Sequence, residues 1–326
     1  MILVTGATGF IGGHLVERLL LRRERVRVLA RKPGSVFDKM PIEVVRGDLT
    51  SGDGLARALE GVDTVLHLAG VTKALTIADY YTGNVRGTEN LARAIAGLNA
   101  KAARPVRTVH VSSLAAVGPS PDGAPVTEDA EPHPVAQYGK SKLEGERMLR
   151  SILPDAVIVR PPAVYGPRDT DIFEILKSVN QGLVMQIAGG ERYFSVIYVT
   201  DLVDGIIAAA REPKAVGRAY FLAHPRIASW SELIGIAARI MGRKPRIIMV
   251  PPSAANAVAY CAELWSRITR KPGIVSRDKV AELQCPNWIC DTRRAKQELG
   301  FTATTDINDG LAAALAWYRE AGWLKY

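Results

Sequence analysis

A glycine-punctuated turn joins an apolar strand to an apolar-periodic helix within the first twelve residues, MILVTGATGFIG, and no other stretch constrains this chain so strongly. Ile2, Leu3 and Val4 read as a buried parallel strand, and Gly6, Gly9 and Gly12 stand where a tight turn, a close ligand approach and close helix packing each exclude a side chain. A helix expected over about Phe10 to Leu21 aims its amino end and unpaired N–H groups at negative charge, as a pyrophosphate requires. Thr8, Phe10 and Ile11 share that turn and join the three glycines as candidate cofactor contacts. Ordinary turns are also glycine-rich, so the place directly after an N-terminal strand is what favours a dinucleotide.

A second part of the cofactor site follows at the expected distance. Val26 to Leu29 form the next strand, and where an acid would bind the ribose hydroxyls of NAD the chain has Ala30, Arg31 and Lys32. Two cations there welcome a 2′-phosphate, and a guanidinium matches phosphate oxygens bidentately, so NADP is expected ahead of NAD. Arg22, Arg23, Arg25 and Arg27 read instead as a solvated basic edge. Asp48, followed by Leu49, is expected to end the third strand and accept from an adenine amino group; capping a turn is its plainer alternative.

Strand and helix signals then alternate. A helix at about 53–59, a strand at 64–68, a long helix at about 78–98, a strand at 108–111, a helix at 137–153 and a strand at 156–159 predict a Rossmann-type, doubly wound α/β fold with a parallel sheet. Past Arg160 the regularity gives way to proline-rich turns. The expected division is a dinucleotide-binding domain at 1–165, completed by 193–222, and a smaller, irregular substrate domain at 166–192 and 223–326.

With 326 residues, 48% hydrophobic and 23% charged, the chain matches an ordinary soluble protein of about two domains. The first strand starts almost at residue 1 and no apolar run is long enough to span a membrane, so a cytoplasmic location is expected. Cys261, Cys285 and Cys290 suit reduced thiols, and His14, His67, His110, His133 and His224 lack metal-ligand spacing. A net charge of +9 invites a nucleic-acid reading, but the cations are scattered and no aromatic-interleaved motif accompanies them. No nucleic-acid partner is expected; a homodimer is left open. Ala254 to Lys271, apolar with Trp265 and ending in Arg267, Arg270 and Lys271, could rest on a membrane surface. A core-facing helix of the second domain is the preferred reading.

The catalytic signal is Tyr138-Gly139-Lys140-Ser141-Lys142, where a phenol and an ammonium four residues apart share one helix face. Bringing a tyrosine from a pKa near 10 to about 7 requires roughly 4 kcal/mol, and an ammonium about 4 Å away supplies that order of energy at an effective dielectric near 20. Alone, such a pair is common on helix surfaces. Here Val111, Ser112 and Ser113 place hydroxyls at the carboxyl end of a strand, Asn84 lies on the long helix, and His67, Leu68, Ala69 and Gly70 close the fourth strand beside the cofactor.

In order and spacing, the segments TGATGFIG, GDL, HLAG, NVRGTEN, VSS, YGKSK and RPPAVYGP resemble the extended short-chain dehydrogenase/reductase superfamily, which includes the NAD-dependent epimerase/dehydratase family. The resemblance covers about residues 1–210. It implies that Tyr138 is the general acid/base, that Lys142 lowers its pKa and binds the nicotinamide ribose, and that Ser113 orients the substrate oxygen. It further implies cofactor contacts from Leu68, Ala69, Gly70, Asn84, Val111 and Pro161, and substrate contacts from Lys73, Ser113, Ala163, Val164 and Arg192.

Departures narrow the branch. Leu114 and Ala115 stand where sugar dehydratases of the superfamily carry Asp-Glu. Ala163 and Phe194 stand where nucleotide-sugar epimerases usually carry Asn and Arg, although Arg192 could substitute by a two-residue shift. SSLAAVGP is similar to the 3β-hydroxysteroid dehydrogenase-like and dihydroflavonol reductase-like branches, which act on hydrophobic alcohols and ketones. The expectation is therefore an NAD(P)-dependent enzyme interconverting a secondary alcohol and a ketone on a fairly apolar small molecule. A nucleotide-sugar 4-epimerase with bound NAD, and a non-catalytic cofactor-sensing protein, are the alternatives.

Overall fold

A computed structural model describes residues 1–32, 37, 40–269 and 276–326, with the Arg267 side chain left out. Arg270 and Lys271, the last cations of the segment suspected of touching a membrane, lie outside the described residues.

Six strands, β1 (Ile2–Thr5), β2 (Val26–Ala30), β3 (Glu43–Arg46), β4 (Thr64–His67), β5 (Arg107–Val111) and β6 (Val157–Arg160), form one all-parallel sheet with a seventh, Ala219–Phe221. Its order is Ala219–Phe221, β6, β5, β4, β1, β2, β3. Strand order reverses between β1 and β4, so the crevice for a ligand opens beyond their carboxyl ends. Alternate residues of β1 feed opposite cores. Val4 packs with Leu15, Val16 and Leu19 of the helix Phe10–Leu21, while Leu3 packs with Leu91, Ile95 and Leu149 on the other face.

Two elements end or break where the periodicity did not show it. The third strand stops at Arg46, and Asp48 lies in the next turn, where its Oδ1 accepts from the Thr50 amide and hydroxyl at 2.7 Å each. The long helix is divided: Ile77–Tyr81 runs into a π-helical turn at Thr82–Arg86 before Gly87–Asn99 resumes. Such turns often mark functional positions, and this one carries Asn84.

The C-terminal lobe packs the helices Asp171–Asn180, Trp230–Ile240 and Ile307–Glu320 around Leu176, Val179, Leu233, Ile236, Leu311, Leu315 and Tyr318. Beside them lies a parallel ribbon of Leu183–Ile187 and Arg246–Val250, against which the helix Pro252–Thr269 rests. No helix among the described residues is long and apolar enough to cross a membrane.

Candidate active site

The glycine turn has the steric form that a dinucleotide needs. Gly6 adopts φ +75°, and a Cβ there would lie 2.5 Å from the Ala69 nitrogen. A Cβ on Gly12 would come within 2.2 Å of the Gly6 carbonyl oxygen, whereas one on Gly9 meets nothing closer than 3.2 Å. Gly6 and Gly12 are thus small for the fold, and at Gly9 a side chain would crowd only the Gly6 carbonyl. The helix beginning at Phe10 has no side-chain cap and no acid in its first turn, which leaves its amide donors for an anion. The residues present therefore fit a dinucleotide pyrophosphate.

From this turn a cleft of about 2200 Å³ runs into the C-terminal lobe. Gly6, Gly9, Phe10, Ile11, Gly12, Leu68, Gly70, Lys73, Val111, Ser113, Tyr138, Ala163, Val164 and Arg192 all line it. Drug-sized ligands occupy roughly 300–1,000 Å³, so this space accommodates a dinucleotide and a large second molecule. Thr8 is exposed at the turn, and Arg31 and Lys32 are exposed just past β2. The Asp48 carboxyl is held low chiefly by its hydrogen bonds to Thr50, with a smaller contribution from the Arg31 guanidinium. Lys73 ion-pairs with Asp171 across the cleft mouth at 2.5 Å.

Ser113 and Tyr138 line the cleft together, and the Ser113 Oγ accepts from the Ala115 amide at 3.1 Å. Lys142, buried on the same helix as Tyr138, donates from Nζ to the Val111 carbonyl at 2.8 Å. Burial lowers its ammonium to about 8, with Glu146 opposing that fall. The phenol departs from expectation. Burial pushes Tyr138 up to about 12, the Ser113 hydroxyl opposes this, and Glu282, Tyr80 and Asp171 reinforce it. A cation on the same helix face does not lower a phenol whose desolvation dominates, and here that cation is anchored on a backbone carbonyl.

Asn84 acts through the backbone. Its Oδ1 accepts from the Val71 amide at 2.7 Å, and its Nδ2 donates to the Val71 carbonyl at 3.0 Å and to Ser141 Oγ at 2.9 Å. With these bonds made, it fixes the strand-end loop at Gly70 and Val71.

Residues 2–223 match the NAD dependent epimerase/dehydratase family. The chain belongs to that family. It is an extended short-chain dehydrogenase/reductase, and it is an enzyme. The ceramide reductase of Caulobacter vibrioides is 33% identical over 327 residues, covering 99% of this chain and 96% of that protein. A 4-hydroxy-2-methyl-3-oxo-4-farnesyl-3,4-dihydroquinoline-1-oxide ketoreductase of Stigmatella aurantiaca is 27% identical, covering 98% and 96%. Among solved structures, MoeE5 in complex with UDP-glucuronic acid and NAD superposes with a TM-score of 0.78 at 25% identity, covering 98% of this chain and 99% of that one.

In this enzyme the motifs leave out a buried pair behind Lys142. Arg160, at the end of β6, donates from Nε and Nη2 to the Glu146 carboxylate at 3.0 and 2.6 Å, and both side chains are buried. The signal was the i+4 spacing of Glu146 from Lys142, visible only once Lys142 is known to be buried. A second unannounced feature is the stacking of His67 on His110, with ring centroids 4.9 Å apart. His67 bridges the hydroxyls of Thr5 and Thr88, whereas neither ring nitrogen of His110 has a partner.

Proposed function

We propose that the enzyme is an NADP(H)-preferring reductase of a ketone carried on an apolar small molecule, working also with NAD(H). The observation that carries this reading is the wall of the cleft formed by the C-terminal lobe, which is mainly hydrocarbon, with Ile175, Leu183, Met185, Phe194, Met249 and Trp288 standing among fewer polar groups such as Gln186 and Arg192. An uncompensated buried diphosphate would cost several kcal/mol per charge against such a wall. Two of the relatives are named as reductases of large apolar compounds, which agrees with it.

Each residue then has a chemical task. Ser113 hydrogen-bonds the substrate oxygen beside the phenol. Tyr138, with its proton held firmly by burial, gives that proton to the carbonyl oxygen as negative charge develops there. Lys142 bonds the nicotinamide ribose while its ammonium keeps positive potential beneath the site. The nicotinamide, when bound, supplies the hydride. Arg31 and Lys32 take the 2′-phosphate, Thr8 and the glycine turn take the pyrophosphate, and Asp48 and Leu49 border the adenine. Ala69 and Pro161 line the nicotinamide end, and Ala163 and Val164 border the substrate.

One observation favours a second reading, a nucleotide-sugar 4-epimerase. Arg192 lines the cleft with its Nε unpaired, its other nitrogens being held by backbone carbonyls of Ile187, Ala188 and Gly190, and a guanidinium so placed could hold an anion. Turnover of a long-chain ketone with NADPH, against epimerisation of UDP-glucose or UDP-glucuronic acid by product analysis, separates the two. NADPH-dependent reduction with inert UDP-sugars is expected, and epimerised UDP-sugar would overturn the reductase reading. Calorimetric titration should show tighter NADPH than NADH binding, reversed by Arg31→Asp; equal affinity would remove the phosphate role of Arg31.

A further inference from the structure

The helix Pro252–Thr269 is turned the wrong way round for a free globular surface. It buries Ala255 and Ala259 against Ile187, Val250 and Val280, and shows its large apolar side chains to solvent. Trp265 is 67% exposed and Ile268 75%, with Val258, Tyr260 and Leu264 also open, while Ala259 is fully buried. An amphipathic helix in a free-standing domain does the reverse, and contiguous exposed apolar patches mark docking sites. The adjoining ribbon extends the patch: on the face that carries Ile187 and Val250, Leu183, Met185 and Ile248 are exposed, while Ile247 and Met249 are exposed on the opposite face. Met185 also lines the cleft, so the patch reaches the mouth of the site.

Charge indicates what covers this face. Arg243 and Lys244, just before the second ribbon strand, and Arg246, its first residue, are all exposed, and Arg239 stands exposed at the end of the helix before it. The one acid on the helix, Glu263, is held by Arg277 at 2.8 Å. Apolar side chains with an interfacial tryptophan, edged by cations, are what an anionic bilayer binds. A second copy would bring the same cations against one another.

We propose that this face docks peripherally on an anionic lipid bilayer, with the helix Pro252–Thr269 lying in the interface and the cleft mouth opening on the acyl region. Docking does not depend on which reaction the enzyme performs; only the corollary that the substrate enters from the membrane rests on the reductase reading above.

The test is flotation of the full chain with vesicles of equal parts phosphatidylglycerol and phosphatidylcholine, with pure phosphatidylcholine alongside, at low and high salt. The protein should float with the anionic vesicles and leave them as salt rises. Trp265→Asp combined with Ile268→Asp, and separately Lys244→Glu with Arg246→Glu, should each lower partitioning at least about tenfold. Thermal unfolding and NADPH affinity should stay unchanged in both, since these side chains are exposed. The proposal is overturned if the unmodified protein stays with the aqueous phase at low salt, or if neither double variant reduces flotation. It is equally overturned if sedimentation shows a dimer that Trp265→Asp with Ile268→Asp separates into monomers, for then a second copy covers the face.

Discussion

Two helices with apolar faces behave in opposite ways. Gly87–Asn99, beside the central strands, buries Leu91, Ala92 and Ile95 under the sheet, whereas Pro252–Thr269 buries alanines and exposes Val258, Leu264, Trp265 and Ile268. Apolar periodicity says which residues share a face; it does not say that the fold covers that face. For Gly87–Asn99 the parallel sheet guarantees a cover, because both of its faces must be sheathed. For Pro252–Thr269 no such rule applies, and the expected core-facing helix presents its larger side chains outward.

Substitutions can break or sharpen this contrast. The largest effect should come from the buried pair behind Lys142. Glu146→Gln leaves the Arg160 guanidinium in the interior without its counter-ion, and urea unfolding should show a loss of about 3–5 kcal/mol. The Lys142 ammonium should titrate lower still, since Glu146 raises it. A loss under about 1 kcal/mol would mean that the pair is not desolvated as the structure shows.

The histidine stack comes next. Burial lowers His67 to about 3 and holds His110 well below its ordinary range. The unfolded chain binds protons near pH 6.5 that the folded chain refuses, so stability should fall as pH drops from about 6.5 toward 3. His110→Leu should flatten that acid limb. It should also raise stability at neutral pH by about 1–3 kcal/mol, because two unpaired buried nitrogens are removed. An unchanged acid limb in thermal melts would show that His110 is solvated.

The smallest effect belongs to the other helix. Leu264→Ser, at an exposed position, should change stability by no more than about 0.5 kcal/mol. A loss several times larger would mean that the face is covered within the chain itself.

How much was legible in the chain follows from the range of the forces involved. The turn at Gly6, Gly9 and Gly12 and the strands β1, β2 and β4 depend on local sterics and short apolar runs, which the residues display directly. Ser113 and Tyr138, 25 residues apart, could be paired only through the motif resemblance, and the fold brings both to the lining of one cleft. The π-helical turn at Thr82–Arg86 escaped because Asn84 is held by Val71, a tertiary partner that no periodicity reveals. Asp48 left the third strand because Thr50 offered it a local turn. The phenol was misjudged for a different reason: spacing locates a cation on a helix face, whereas burial, which raises Tyr138, is a property of the whole fold. Burial of the Glu146–Arg160 pair is equally invisible until β6 and the helix Gln137–Ile152 are packed together.

In the proposed reaction, Tyr138 is the group that moves a proton at the substrate oxygen. Tyr138→Phe removes one hydroxyl in the cleft and leaves the glycine turn, Arg31 and Lys142 untouched. Steady-state turnover of a long-chain ketone with NADPH, measured beside the NADPH dissociation constant of the same protein, is therefore the direct test. Turnover should fall roughly 100-fold to 10,000-fold while cofactor affinity stays within about twofold. A Tyr138→Phe enzyme that keeps the turnover of the unmodified protein would contradict the account.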